Sequence, residues 1–184
     1  MKKQMIEPLK KIQSQQVSIF KELARIDFET LKIKPSENEW SVIEILQHIY
    51  LIELVSLKYI QKKLQFVDYL PKRKLISALR YNLMKAISLT PAKFKAPKFK
   101  IIAEFNSLEE AQIKWAQLRA ALELTLEKTP NSVIDGLLWK HAFAGKMSVY
   151  HMILFFHDHS ERHKKQIERV LKVVSKNTVD KFIY

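Results

Sequence analysis

His159 and His163, four residues apart, are the pair in this sequence best placed to act together. On a helix they differ by about 40° in direction and about 6 Å in rise, so both imidazoles can reach one ion. His157 is turned about 160° from His159 and points elsewhere. His48 stands among Ile45, Ile49 and Ile52 on the apolar face of a different segment, where an imidazole without a partner would be costly to bury. If the two segments are neighbouring helices, His48 supplies a third ligand. The chain has no Cys, so disulfides, thiol nucleophiles and Cys-ligated zinc are excluded, and any metal site must use His, Asp or Glu.

Three neutral imidazoles suit a divalent ion such as zinc, nickel or ferrous iron, and three protein ligands leave one position open. An ion with an open position can lower the pKa of a bound water to about 7, activate a thiolate or polarise a carbonyl. Glu44 and Glu53 are candidates to orient a ligand or carry a proton, although Ser41 already explains Glu44 as its capping partner. Spacing alone leaves a second reading open. A pair at four-residue spacing also arises by chance, and a lone His48 on an apolar face is more often a hydrogen-bonded core residue. His141, His151 and His157 read as structural or surface residues.

The elements that must carry these residues are helical. The chain of 184 residues contains two Gly and six Pro, and 47% of it is apolar, enough for one domain spanning 1–184 that buries roughly 70% of its unfolded surface. Ile6, Leu9, Ile12, Ile19, Phe20 and Leu23 recur at three- and four-residue steps and predict a first helix from about Gln4 to about Phe28, with Pro8 able to delay its start. Ser41 and Glu44 form a capping-box pattern that opens a second helix ending near Gln65. A shorter helix over 72–88 precedes Pro91 and Pro97, which impose an extended segment. Ser107, followed by Glu109 and Glu110, caps a third long helix running to Glu127. A loop over 129–147 holds both glycines. Ser148 then opens a fourth long helix to about Ser175, leaving 175–184 as a tail. Four long amphipathic helices predict an all-α bundle.

Two segments carry a family resemblance. Asn38-Glu39-Trp40-Ser41-Val42-Ile43-Glu44-Ile45-Leu46-Gln47-His48-Ile49 and His159-Ser160-Glu161-Arg162-His163-Lys164-Lys165-Gln166-Ile167 resemble the DinB/YfiT-like superfamily. Gly145-Lys146-Met147-Ser148 and Phe94-Lys95-Ala96-Pro97 are similar to it as well, whereas Ala142 stands where the family pattern would have proline. The resemblance implies a four-helix bundle of up-down-down-up order. It also implies a metal held by a His of the second helix and a His-x-x-x-His pair of the last, which here are His48, His159 and His163. Relatives include metal-dependent thiol transferases, which join a low-molecular-weight thiol to an electrophile, and others carry a hydrolase label. A small-molecule substrate and a homodimer are the partners this implies.

Charge gives the alternative. Twelve Lys and Arg lie between Lys58 and Lys100 against the single acid Asp68, which makes +11 of the chain's +13. With Tyr69, Tyr81, Phe94 and Phe99 interleaved, this stripe could track the phosphates of a nucleic acid and stack on bases, or meet another anionic partner. No recognised nucleic-acid motif accompanies it, and such a run is more often a solvated face. Early lysines and Glu7 argue against a secretion signal, no run approaches the ~20 apolar residues of a membrane helix, and a chain without Cys suits the cytoplasm.

Overall fold

With two glycines in 184 residues, the chain has few positions for tight hairpins, and its backbone is mostly helical. A computed structural model describes residues 3–67, 69–70, 74–88 and 104–180. Among these residues it contains seven helices and a single two-stranded sheet.

Helix α1, Lys3–Leu23, buries Met5, Leu9, Ile12, Ile19, Phe20 and Leu23 along one stripe. Pro8 lies within it and does not delay its start. So close to the N-terminus, proline removes a single backbone hydrogen bond. The helix stops at Leu23, five residues before the expected Phe28. Ala24 N donates to Phe20 O and Ile26 N to Leu23 O as the chain turns. Asp27 then caps a separate short helix, α2, Phe28–Lys32, by accepting from Thr30 N at 3.2 Å.

Helix α3, Val42–Leu64, starts with the expected capping box: Ser41 N donates to Glu44 Oε2 at 2.8 Å, and Glu44 N to Ser41 Oγ at 3.2 Å. Helix α4, Lys74–Ser88, matches the shorter expected helix from Lys74 on; Lys72 and Arg73 lie outside the described residues. Helix α5, Leu108–Lys128, is capped by Ser107, which accepts from Glu110 N at 3.0 Å.

The expected loop over 129–147 is more ordered than its sequence suggested. It holds helix α6, Asn131–Ile134, and strands β1, Trp139–His141, and β2, Gly145–Met147, which pair antiparallel with Trp139 opposite Met147. Gly145 takes the positive φ of 77° that the hairpin needs. Gly136 is required for a different reason: a Cβ there would come within 2.3 Å of Leu70. Helix α7 runs from Val149 to Asp180, so most of the expected tail is helix.

Helices α1 and α3 each pack on both α5 and α7, closing a ring of the four long helices, while α4 lies on α7 and β2 and α2 on α3. Ile45, Leu46 and Ile49 of α3 meet Met152, Ile153 and Phe156 of α7 and Trp115 and Leu122 of α5 in one buried cluster. No described helix is long and apolar enough to cross a membrane.

Candidate metal centre

The packing of α3 on α7 brings His48 to His159 across 111 positions of sequence. His48 Nε2 lies 3.3 Å from His159 Nε2, and His163 Nε2 lies 3.2 Å from the same atom. Ring nitrogens of all three fall within 4.8 Å of one another, in the one three-histidine group among the described residues. His163 is buried; His48 and His159 are partly exposed, which leaves the cluster a solvent-facing side.

Two nitrogens each about 2.05 Å from a tetrahedral ion stand about 3.3 Å apart, so the His48–His159 and His159–His163 spacings are those of ligands to one ion. Protons alone serve them poorly. His163 Nδ1 lies 2.8 Å from Gln166 Oε1, and with the amide in this orientation the ring hydrogen of His163 sits on Nδ1 and its Nε2 presents a lone pair. His159 Nε2 faces two neighbouring ring nitrogens and has at most one hydrogen or one lone pair to give. One cation among three lone pairs removes the conflict, and the donor set fits a borderline divalent metal.

Electrostatics keeps the rings neutral. Burial pushes the His48 imidazolium down to about 4. Burial, then the proximity of His48, lowers His163 to about 4. Burial again, followed by His163, His48 and His141, holds His159 well below its ordinary value. All three lone pairs are therefore available at neutral pH without displacing a proton. Aromatic rings fix the imidazole planes: Trp40 stands 4.9 Å from His48, and Phe155 5.0 Å from His159, centroid to centroid.

Neither candidate carboxylate turns to the cluster. Glu44 gives Oε2 to Ser41 N and Oε1 to Lys34 Nζ, both at 2.8 Å. Burial acts to raise its pKa, but Lys34 and Ser41 hold the carboxyl below its ordinary value. Glu53 points to α5, where Oε1 accepts from Arg119 Nη2 at 2.8 Å and Oε2 from Trp115 Nε1 at 2.9 Å. Position 53 is five residues beyond His48, about 140° around the same helix, so a buried Glu53 belongs to a different face.

The other histidines hold structure. His141 Nδ1 accepts from Phe143 N and Ala144 N at 3.2 Å each and so shapes the β1–β2 turn. His151 Nδ1 lies 2.8 Å from Ser77 Oγ and 2.9 Å from Ser148 Oγ where α4 meets α7. His157 sits beside Asp158 at 3.3 Å. Gln166 and Phe155 were missed by sequence reasoning. Gln166 had a signal, since it lies three residues after His163 on the same helical face.

The basic stripe is dismantled in part. Lys74 pairs with Asp135, Lys85 with Asp158, and Arg80 donates to the Lys146 carbonyl. Tyr81 is buried and donates to Asp158 Oδ2 at 2.6 Å, so it offers no stacking face. Arg73, Phe94, Phe99 and the lysines at 72, 93, 95, 98 and 100 lie outside the described residues. A groove between α1 and α7, lined by Lys10, Lys11, Gln15, His157, Glu161 and Lys164 among others, includes none of the three clustered histidines.

The family model described as the DinB superfamily matches residues 13–167, which contain all three clustered histidines. No curated protein and no solved structure matches the chain.

Proposed function

Because the chain belongs to the DinB superfamily, we propose that His48, His159 and His163 hold one divalent ion, zinc, nickel or iron, and that this centre serves a transfer or hydrolysis reaction on a small molecule. The observation that carries the reading is the grouping of the three imidazoles within 4.8 Å of one another, with the Nε2 atoms of His48 and His163 at 3.3 and 3.2 Å from that of His159. The closed ring of long helices supports reading α1, α3, α5 and α7 as a four-helix bundle of up-down-down-up order.

An ion with three protein ligands would supply Lewis acidity at an open position. The protein's own residues do the rest. Gln166 keeps the His163 hydrogen on Nδ1, so that Nε2 faces the centre. Phe155 and Trp40 pack against the ligand rings and limit the water around them. His141, with Nδ1 committed to two backbone N–H groups, carries its hydrogen on Nε2 and offers a donor near the cluster. A low-molecular-weight thiol is the substrate class to test first, because an ion bound by imidazoles also binds thiolate.

Elemental analysis of untagged protein tests the centre. About one equivalent of zinc, nickel or iron is expected in the wild type and none in His48→Ala or His159→Ala, with helix content retained because the long helices bury an extensive apolar core of their own. Retained metal in both variants, or none in the wild type after titration at neutral pH, would sink the assignment. Loaded protein that turns over neither thiol-plus-electrophile mixtures nor hydrolysable esters and amides would leave a binding site and refute the enzyme.

A further inference from the structure

Along the buried stripe of α1, which carries Met5, Leu9, Ile12, Ile19 and Leu23, one position is polar: Gln15, only 8% exposed. Burying an amide is costly unless its hydrogen bonds are met, and a leucine would fill the same place without that cost. The protein meets half of the amide. Gln15 Nε2 donates to His157 O at 3.3 Å and to Glu161 Oε1, and because both partners accept, the orientation of the amide is fixed. The other half, Oε1, accepts from no group among the described residues, yet it is not sealed in the interior. It opens on the groove between α1 and α7 that Gln15 lines. Three more groups of that groove are uncommitted among the described residues: the second carboxylate oxygen of Glu161, the Ser14 hydroxyl and the Lys11 ammonium. Lys164, by contrast, is taken by Glu22 at 2.8 Å, and Lys10 stands beside Glu7 at 3.9 Å.

We propose that this groove binds a free dipeptide, with its ammonium on Gln15 Oε1 and Glu161 and its terminal carboxylate on Lys11. Three observations choose that class. First, the floor presents two acceptors, one of them a carboxylate, and so calls for a cationic donor, while Lys11 calls for an anion. A simple anion would face the charge of Glu161 and a simple cation that of Lys11, whereas a zwitterion satisfies both. Second, Lys11 and Gln15 stand four residues apart on α1, about 6 Å along its axis, and an extended dipeptide spans at most about 7 Å. Ser14 lies between them, and its hydroxyl can donate to or accept from the peptide group. Third, the groove encloses about 450 Å³, the size of a small-molecule site and more than a single ion or a lone amino acid fills. None of the clustered histidines lines it, so the inference is independent of the metal centre.

Calorimetric titration of L-alanyl-L-alanine into the full chain, as purified and after chelator treatment, tests it. One peptide is expected per chain, bound equally in both samples. N-acetylation of the peptide removes its ammonium and amidation removes its carboxylate, and each should weaken binding by about tenfold or more. Glu161→Gln keeps an acceptor for Gln15 but removes the charge, and Lys11→Met removes the exposed cation; each should weaken binding by a similar factor with unchanged far-UV circular dichroism. Gln15→Leu should lose binding while its urea midpoint stays level or rises, since the change completes an apolar stripe. No binding at millimolar peptide would overturn the proposal, as would affinity unchanged in Glu161→Gln and Lys11→Met. Binding lost on chelation would overturn it by placing the peptide on the metal. Phosphate, methylamine or L-alanine bound as tightly as the dipeptide would also overturn it, leaving a surface that collects adventitious ions only.

Discussion

At the scale of single residues, the centre depends on where hydrogens sit. Three imidazoles facing one another leave His159 Nε2 between two partners, and Gln166 removes the freedom of His163 to resolve the conflict by changing tautomer. Gln166→Ala is therefore expected to weaken metal affinity by about 10- to 100-fold, while Gln166→Glu retains it, as read by competition against a chromophoric chelator. Equal affinity in wild type and Gln166→Ala would show that the amide has no part in holding the ring. The ligand residues were legible in sequence because His-x-x-x-His is a local pattern and His48 is an oddity on an apolar face. Their convergence was legible only through the family resemblance and not from local pattern, since it rests on α3 packing against α7, a contact between segments 111 positions apart. Glu53 misled for a related reason. A buried acid looks functional in sequence, and only the fold shows Arg119 and Trp115 waiting for it.

At the scale of elements, that acid is a structural pin. Glu53 of α3 meets Arg119 and Trp115 of α5, and Arg119 Nε donates in turn to Gln16 of α1 at 3.1 Å, so three helices share one buried network. Arg119 Nη1 stands 2.7 Å from Glu53 Oε2 and is aligned as a donor to no atom, so its stabilisation is ionic. Glu53→Gln should cost about 3–5 kcal/mol in urea denaturation because it leaves a buried guanidinium unpaired, whereas Glu53→Leu combined with Arg119→Met should recover most of the loss. A Glu53→Gln variant as stable as wild type would mean that water reaches the guanidinium. The starts of α3 and α5 were readable because Ser41 and Ser107 cap them through local chemistry. The early end of α1 was readable in principle from Asp27, but the apolar spacing that continues to Phe28 hid it. The β-hairpin had only Gly145 and three-residue strands to announce it, too short for alternation to register.

For the whole molecule, buried neutral histidines make stability depend on pH. His48, His163 and His141 are each lowered to about 4 by burial, against about 6.5 in the unfolded chain. Between those values the unfolded state binds more protons, so stability falls as pH falls. The urea midpoint of metal-free protein should be flat above about pH 7 and decline from about 6.5 towards about 4; a flat profile over that range would place the imidazoles in water. The composition foretold a helical molecule, and the capping serines foretold the starts of α3, α5 and α7. The ring of helices follows from which apolar stripes meet, which no local pattern encodes. The ring also places the ligands at distant points of one chain: His48 in the first third, His159 and His163 near its end. An ion held there, as proposed, would bind the folded chain far better than the unfolded one and would act as a reversible cross-link whose strength is set from outside. Above the dissociation constant, each tenfold rise in free ion adds about 1.4 kcal/mol to folding. With the proposed ion bound, the durability of this protein would be partly a property of its surroundings, and two samples of the same sequence would differ in lifetime according to the metal each has met.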